Sequence, residues 1–247
     1  MATSDIKKGP LYVDGTNNRV GVGTVSPDTT MHIHTSSAGT VGAVSGGVLT
    51  LEKNNHAVLQ FLTPNDKKAI IYFGDPDDID AGRLEYDHLS NAMSFNVNAA
   101  QRMKIDSSGR VTMPYQPAFY VYNLNFPDSN SAGTASGGTD LVNIGSHYAT
   151  GTGRFTAPIS GTYMFTMMTQ AYDSGNTSGQ YQTAVFRKNG SNVGAETYHG
   201  WQPNDGNNHV QSQNTIIISL SANDYMQAYV QYGSRDIQNF FSGYLIG

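Results

Sequence analysis

LVNIGSHYATGTGRFTAPISGTYMF, residues 141–165, joins short apolar runs to glycine turns and one Ala-Pro, and no part of it has the three-to-four-residue apolar spacing of a helix. Arg154, Phe155 and Thr156 read as a strand end that runs into a corner at Ala157 and Pro158. Ile159, Ser160 and Gly161 read as a tight turn in which glycine accepts a positive φ. Thr162, Tyr163, Met164, Phe165 and Thr166 then open the next strand, because β-branched and aromatic side chains suit a pleated, half-buried surface. The stretch is expected to form the heart of a C-terminal β-sandwich.

The rest of the C-terminal half extends that pattern. Tyr115 to Tyr122, Gln182 to Lys188, Gln213 to Leu220, Tyr225 to Gln231 and Phe240 to Ile246 all read as strands, and Asn189-Gly190 between two such runs is a strong hairpin signal. Strands at this spacing make a sandwich of roughly ten strands in two packed sheets.

Composition agrees with an all-β chain. Of 247 residues only 13% are charged, 11% are aromatic and 27 are glycine, a mixture of many turns and many strand formers. The formal net charge is −5 and no basic run occurs, so nucleic acid has no electrostatic footprint to bind. With no cysteine there are no disulfides, thiolate metal sites or cysteine nucleophile. The N-terminus shows no apolar core of signal-peptide length, and no run approaches the roughly 20 apolar residues of a membrane span. Synthesis in a cytoplasm without membrane insertion is expected, with release by assembly or lysis.

Before residue 114 the texture differs. Tyr12, Val13, Asp14 and Gly15, followed by Arg19, Val20, Gly21 and Val22, form a hairpin pattern. Lys104, Ile105, Asp106, Ser107, Ser108, Gly109, Arg110 and Val111 repeat it with a shorter turn. The repeats bracket short β-like runs, among them residues 31–34, 48–52, 58–63, 69–74, 83–86 and 93–97. The divisions expected are an N-terminal attachment segment at 1–30, a β-rich stalk at 31–113 and a sandwich head at 114–247. The apolar content of the stalk is thin for its length, so it is expected to complete its core by trimerising.

The head carries a recognisable family pattern. Pro117-Ala118-Phe119 resembles the first strand of the C1q-like globular domain of the complement and tumour-necrosis-factor superfamily. Asn143-Ile144-Gly145, Gly153-Arg154-Phe155-Thr156-Ala157-Pro158 and Gly161-Thr162-Tyr163-Met164-Phe165 resemble its central signature. Arg187-Lys188-Asn189-Gly190 resembles its hairpin and Phe241-Ser242-Gly243-Tyr244-Leu245-Ile246 its closing strand. The resemblance implies a ten-stranded jelly-roll sandwich, a homotrimer, and ligand binding through outer loops. In the N-terminal half, Val20-Gly21-Val22-Gly23-Thr24-Val25-Ser26-Pro27 and Lys104-Ile105-Asp106-Ser107-Ser108-Gly109-Arg110-Val111 are similar to recurring units of bacteriophage tail-fibre and other virion fibre proteins. Together the two resemblances imply a virion protein. Its partners would be other virion proteins through the N-terminal segment and a host surface receptor through the head. The alternative is a capsid decoration or head-fibre protein.

The chemistry-bearing residues point to binding rather than catalysis. No Gly-x-Ser-x-Gly elbow is present, and Asp128, Asp140, Asp173, Glu196 and Asp205 are scattered among expected loops, so no enzyme is expected. Two stretches, around Tyr172, Asp173 and Asn176 and around Tyr198, Trp201, Asn204 and Asp205, combine rigid aromatic rings with amides and are the expected ligand-binding loops. Packing between protomers is the other role open to Trp201. No cofactor is expected. Asp205 and Asp224 are candidates for Ca2+ on a trimer axis, and the cluster Asp75, Asp77, Asp78 and Asp80 fails EF-hand spacing. His32 and His34 lie on one face of an expected strand, without a visible third ligand.

Overall fold

The computed structural model describes residues 10–126, 132–173, 181–200, 208–230 and 236–247, and among them every regular element is a strand. The chain divides into two compact units, Met1–Ala69 and Ile70–Gly247.

In the first unit β1 (Leu11–Asp14) and β2 (Arg19–Val22) form the expected hairpin, with Asp14 paired to Arg19. The turn is organised by Asp14, whose Oδ1 accepts the backbone N–H groups of Thr16 and Asn17 at 3.0 and 3.1 Å. Asn18 takes the left-handed conformation, which asparagine tolerates. The sheet continues through β3 (Met31–His34) and β4 (Leu49–Glu52) in the order β1-β2-β3-β4, and these last pairings are parallel. The chain thus returns to the same strand direction through irregular connections rather than helices. The expected strand over residues 58–63 does not form. Its apolar residues find no sheet edge to pair with, and Val58 and Leu62 stay exposed.

Next comes the sheet of β5 (Lys68–Phe73), β6 (Gly82–Asp87), β7 (Ala92–Val97), β8 (Ala100–Ile105) and β9 (Val111–Thr112), in sequential order. The second hairpin is β8-β9, and Asp106 repeats the part of Asp14: its Oδ1 accepts Ser108 N at 2.9 Å and Arg110 N at 3.0 Å.

Register places Leu84 opposite Phe95, Tyr86 opposite Met93, Met93 opposite Ile105 and Phe95 opposite Met103, all on one face. Among the described residues that face is partly open: Phe95, Val97 and Val111 are exposed and the others are half-buried, while the buried residues of the sheet, Glu85, Ala92, Ser94 and Asn96, lie on its other face. Among the described residues ahead of Pro117, the buried apolar side chains are Ala92 and Pro27.

The head is the expected sandwich, with ten strands in two five-stranded sheets and one short addition. Its strands are β10 (Ala118–Tyr122), β11 (Gly133–Thr134), β12 (Thr139–Ile144), β13 (Tyr148–Ala149), β14 (Arg154–Thr156), β15 (Gly161–Asp173), β16 (Tyr181–Lys188), β17 (Ser191–Gly200), β18 (Asn208–Leu220), β19 (Tyr225–Val230) and β20 (Asp236–Leu245). One sheet runs β12-β10-β20-β15-β18 and the other β13-β14-β19-β16-β17, with β11 paired to β19. Phe119, Phe155, Tyr163, Phe165, Met167, Phe186, Met226 and Phe241 fill the space between them. The corner at Ala157 closes, with Ala157 N donating to Asp224 O at 2.8 Å and the Tyr163 hydroxyl to Ile159 O at 2.8 Å, but Gly161, expected in the turn with a positive φ, instead opens β15 without one. Asn189 and Gly190 both have positive φ, 50° and 83°, as a two-residue hairpin turn of the mirror-image type requires.

Candidate functional site

The head is apolar at one end and polar at the other. Toward the far end of β15 the interior changes from phenylalanine to Thr169, Thr183, Ser212, Asn214 and Asn239, all buried. Most of these groups find partners. Asn214 Nδ2 donates to Ala184 O at 3.1 Å, Ser212 Oγ lies 3.1 Å from Thr197 Oγ1, and Asn239 Nδ2 donates to Leu124 O at 2.8 Å. Thr169 Oγ1 and Gln170 Oε1 have no protein partner. At the apolar end desolvation raises the Tyr148 phenol above its usual range, and its ring stacks on Phe119 at 4.9 Å.

At the polar end the register brings together the strand ends bearing the expected binding residues. Tyr172 pairs with His209 and Asp173 with Asn208, while Tyr181 pairs with Gly200 and Thr183 with Tyr198. Tyr172, Asp173 and Tyr198 are therefore strand residues rather than loop residues, because the ladder β15-β18 runs unbroken through thirteen pairs. Asn176, Trp201, Asn204 and Asp205 lie outside the described residues. The strand ends flanking 174–180, 201–207 and 231–235 lie together at this end of the sandwich, since Ala171 pairs with both Val210 and Asp236.

The metal candidates resolve differently. Asp224 is committed to the fold. It accepts Lys188 Nζ at 2.8 Å, Asn189 Nδ2 at 2.7 Å and Ser221 N at 2.8 Å, and these donors, Lys188 first, hold its carboxyl down to about 2. The two histidines of β3 share one carboxylate: His32 Nε2 lies 3.0 Å from Glu52 Oε2 and His34 Nε2 lies 3.7 Å from Glu52 Oε1. His32 Nδ1 accepts Asp28 N at 3.3 Å. The acidic cluster closes on itself, with Asp75 Oδ1 accepting Asp77 N and Asp78 N, both at 2.9 Å. No group of three or more histidine and carboxylate side chains among the described residues is arranged to hold a metal ion.

One constellation has no signal in the sequence. Phe155, Met226 and Phe186 point into the core, so their neighbours Arg154, Gln227 and Arg187 lie on the other face of the sheet, where Gln227 is itself buried. Register sets the three in one row across β14, β19 and β16, Arg154 opposite Gln227 and Gln227 opposite Arg187. Each guanidinium rests on a ring of β19: Arg154 Cζ is 4.1 Å from the Tyr225 centroid and Arg187 Cζ is 3.3 Å from that of Tyr229.

Comparison with known proteins bears on the head alone. The C1q domain family matches residues 118–246. The globular domain of zebrafish complement 1qA protein is similar at 16% identity and a TM-score of 0.43, covering 53% of this chain and 98% of its own. Murine APRIL is similar at 8% identity and a TM-score of 0.39, covering 53% of this chain and 99% of its own. No curated protein matches the chain. Since the family match spans more than half of the 247 residues and falls on the eleven strands of the sandwich, the chain belongs to the C1q domain family.

Proposed function

We propose that the chain is a homotrimeric, non-enzymatic recognition protein of a bacteriophage particle, in which the C1q head meets a host surface receptor. C1q domains commonly assemble as trimeric recognition modules, and the observation that carries the proposal here is the uncovered apolar face of β6, β7 and β8. A sheet with Leu84, Met93, Phe95 and Met103 on one partly open side cannot keep that side in water without cost, and copies of the same sheet are what an adjoining trimeric head holds within reach. Residues 1–30 dock to other virion proteins, residues 31–113 form the stalk, and the polar end of the head, with Tyr172, Asp173, Tyr198 and the segments they flank, faces outward. The fibre-like repeats around Asp14 and Asp106 support the virion setting. Three heads on one axis raise apparent affinity without new contacts.

Sedimentation of the full chain is expected to give one species of three times the chain mass. Antibody against the head, located by electron microscopy on purified particles, is expected at the tail. Label over the capsid shell would replace receptor binding with capsid decoration, and a stable monomer at micromolar concentration would remove the trimer.

A further inference from the structure

We infer that residues 58–63 form a strand exchanged between copies of this chain, pairing in parallel with the edge of β4 in the neighbouring copy. This rests on the homotrimer proposed above and adds how its copies are joined on the N-terminal side of the head.

The acceptor is an unfinished sheet. β4 is the last strand in the order β1-β2-β3-β4. Met31 N donates to Val48 O and Thr35 N to Glu52 O, so Val48, Thr50 and Glu52 turn their backbone groups toward β3, and by the alternation of a strand Leu49 and Leu51 turn theirs to the outer edge. Among the described residues nothing pairs with these two N–H and two C=O groups. An edge of this kind is a template for another strand. The side chains stop short in the same place: Val20, Met31 and Leu49 make one apolar row and Val22, Ile33 and Leu51 a second on the same face, and both rows end at β4.

Residues 58–63, VLQFLT, supply what that edge lacks. They make no backbone hydrogen bond among the described residues, and Val58, Leu59, Phe61 and Leu62 are all exposed. Leu59-Gln60-Phe61 repeats the apolar-polar-apolar order of Leu49-Thr50-Leu51, so aligning Gln60 with Thr50 extends both apolar rows by one strand. In that parallel register the Gln60 N–H donates to Leu49 O and Gln60 O accepts the Leu51 N–H, while Val58 O and the Leu62 N–H take the Leu49 N–H and Leu51 O that remain.

The chain does not lead the segment to its own edge. Each return to the strand direction of this sheet uses a connection of residues 23–30 or 35–48, and residues 53–57 are fewer than either. Beyond β4 the chain is tied toward β3 instead: Asn54 N donates to Ser36 Oγ at 2.9 Å, and Ser36 Oγ to Asn54 Oδ1 at 2.8 Å. Ala57 and Val58 then line one hollow of about 240 Å³ with Ile33 and Leu51, which sets the start of the segment against the face of its own sheet rather than along the edge. A second copy can present the same six residues to that edge without this constraint, and around a threefold axis each copy gives one strand and receives one. Four exposed apolar side chains bring roughly 400 Å² of apolar surface, about half of what one partner gives to a stable interface, so the seam joins copies that the heads already hold together.

The test uses the full chain, with its oligomeric state read by sedimentation on the same sample. Hydrogen exchange with mass spectrometry is expected to show peptides over 58–63 exchanging at least tenfold slower than an unpaired chain. Q60P, which removes the central donor, is expected to abolish that protection and to speed exchange over 49–52, leaving peptides of β15 and β20 unchanged. The chain has no cysteine, so T50C/Q60C forms only the designed disulfide, and oxidation is expected to link three chains covalently on a denaturing gel without reductant. A disulfide closed within one chain, or none formed, overturns the inference, as does protection that survives Q60P. A wild-type trimer with unprotected 58–63 overturns the exchange and leaves the homotrimer standing, whereas a monomer in sedimentation removes both.

Discussion

Gly243 pairs with Phe165 on one side and Phe119 on the other, and the two rings close over it with centroids 6.3 Å apart. A side chain at this position would meet carbon atoms of both rings, so the backbone of β20 runs beneath the aromatic core only because residue 243 has none. Gly243→Ala is expected to destabilise the head by about 1–3 kcal/mol, the usual cost of overpacking a filled core. Gly151→Ala, where an added methyl meets open space, is the matched control and is expected to change little. Thermal melts of both variants at one protein concentration check this, since the midpoint of an oligomer depends on concentration.

Asp224 ties the turn before β19 to the hairpin of β16 and β17 through Lys188 and Asn189. Its carboxyl is held below the usual carboxylate range, at about 2, chiefly by the Lys188 ammonium and then by Asn189. A depressed folded value means the contribution is complete above the unfolded value near 3.8 and is lost as pH falls through about 2. Asp224→Asn is therefore expected to melt below the wild type at pH 7, and the gap to close as pH falls from about 4 to 2. An equal gap at both ends of that range would remove Asp224 from the acid response.

What the sequence makes legible is what local chemistry decides. Asn189-Gly190, the corner at Ala157-Pro158 and the aspartate-led hairpins at Asp14 and Asp106 each depend on residues within a few positions of one another. The parallel pairing of β2, β3 and β4 is not legible, because strands of four residues joined without a helix carry no mark of direction. Nor is the fate of residues 58–63, since alternation specifies a face but not the edge that must pair with it. The arginine row is hidden for a third reason: Arg154 and Arg187 meet only through β19, which follows both in the chain. Glu52 is likewise absent from any local pattern around His32 and His34, and the parallel ladder brings it there, opposite His34.

The hairpin turn at Asp106 depends on one carboxylate doing three tasks, accepting Ser108 N, Arg110 N and the Arg110 side chain at 2.7 Å. The Arg110 backbone N–H first, then its guanidinium, lower the Asp106 pKa. Asp106→Ala is expected to speed amide exchange at Ser108 and Arg110, read by hydrogen exchange with mass spectrometry, and to leave peptides of β15 and β20 unchanged. In the wild type the same acceleration is expected only as pH falls below the ordinary carboxylate value, once the observed rates are corrected for intrinsic exchange. Protection at Ser108 that survives Asp106→Ala would assign the turn to Gly109 and its positive φ instead.

The apolar face of β6, β7 and β8 can be tested apart from the head. Phe95 and Val97 are exposed on it, 39% and 58%, so replacing both by glutamate creates no cavity within one chain. If the face is open to solvent, F95E/V97E is neutral or more soluble. If copies of the chain close over it, the variant buries like charges against one another and this sheet opens, because an unpaired charge in an apolar seam is strongly unfavourable. The expected outcome is rapid protease cleavage within residues 70–113 with the head, 118–246, recovered intact, since the head has its own filled core. Cleavage at the wild-type rate would show that the face is not an interface and that the sheet holds together by its ladders alone.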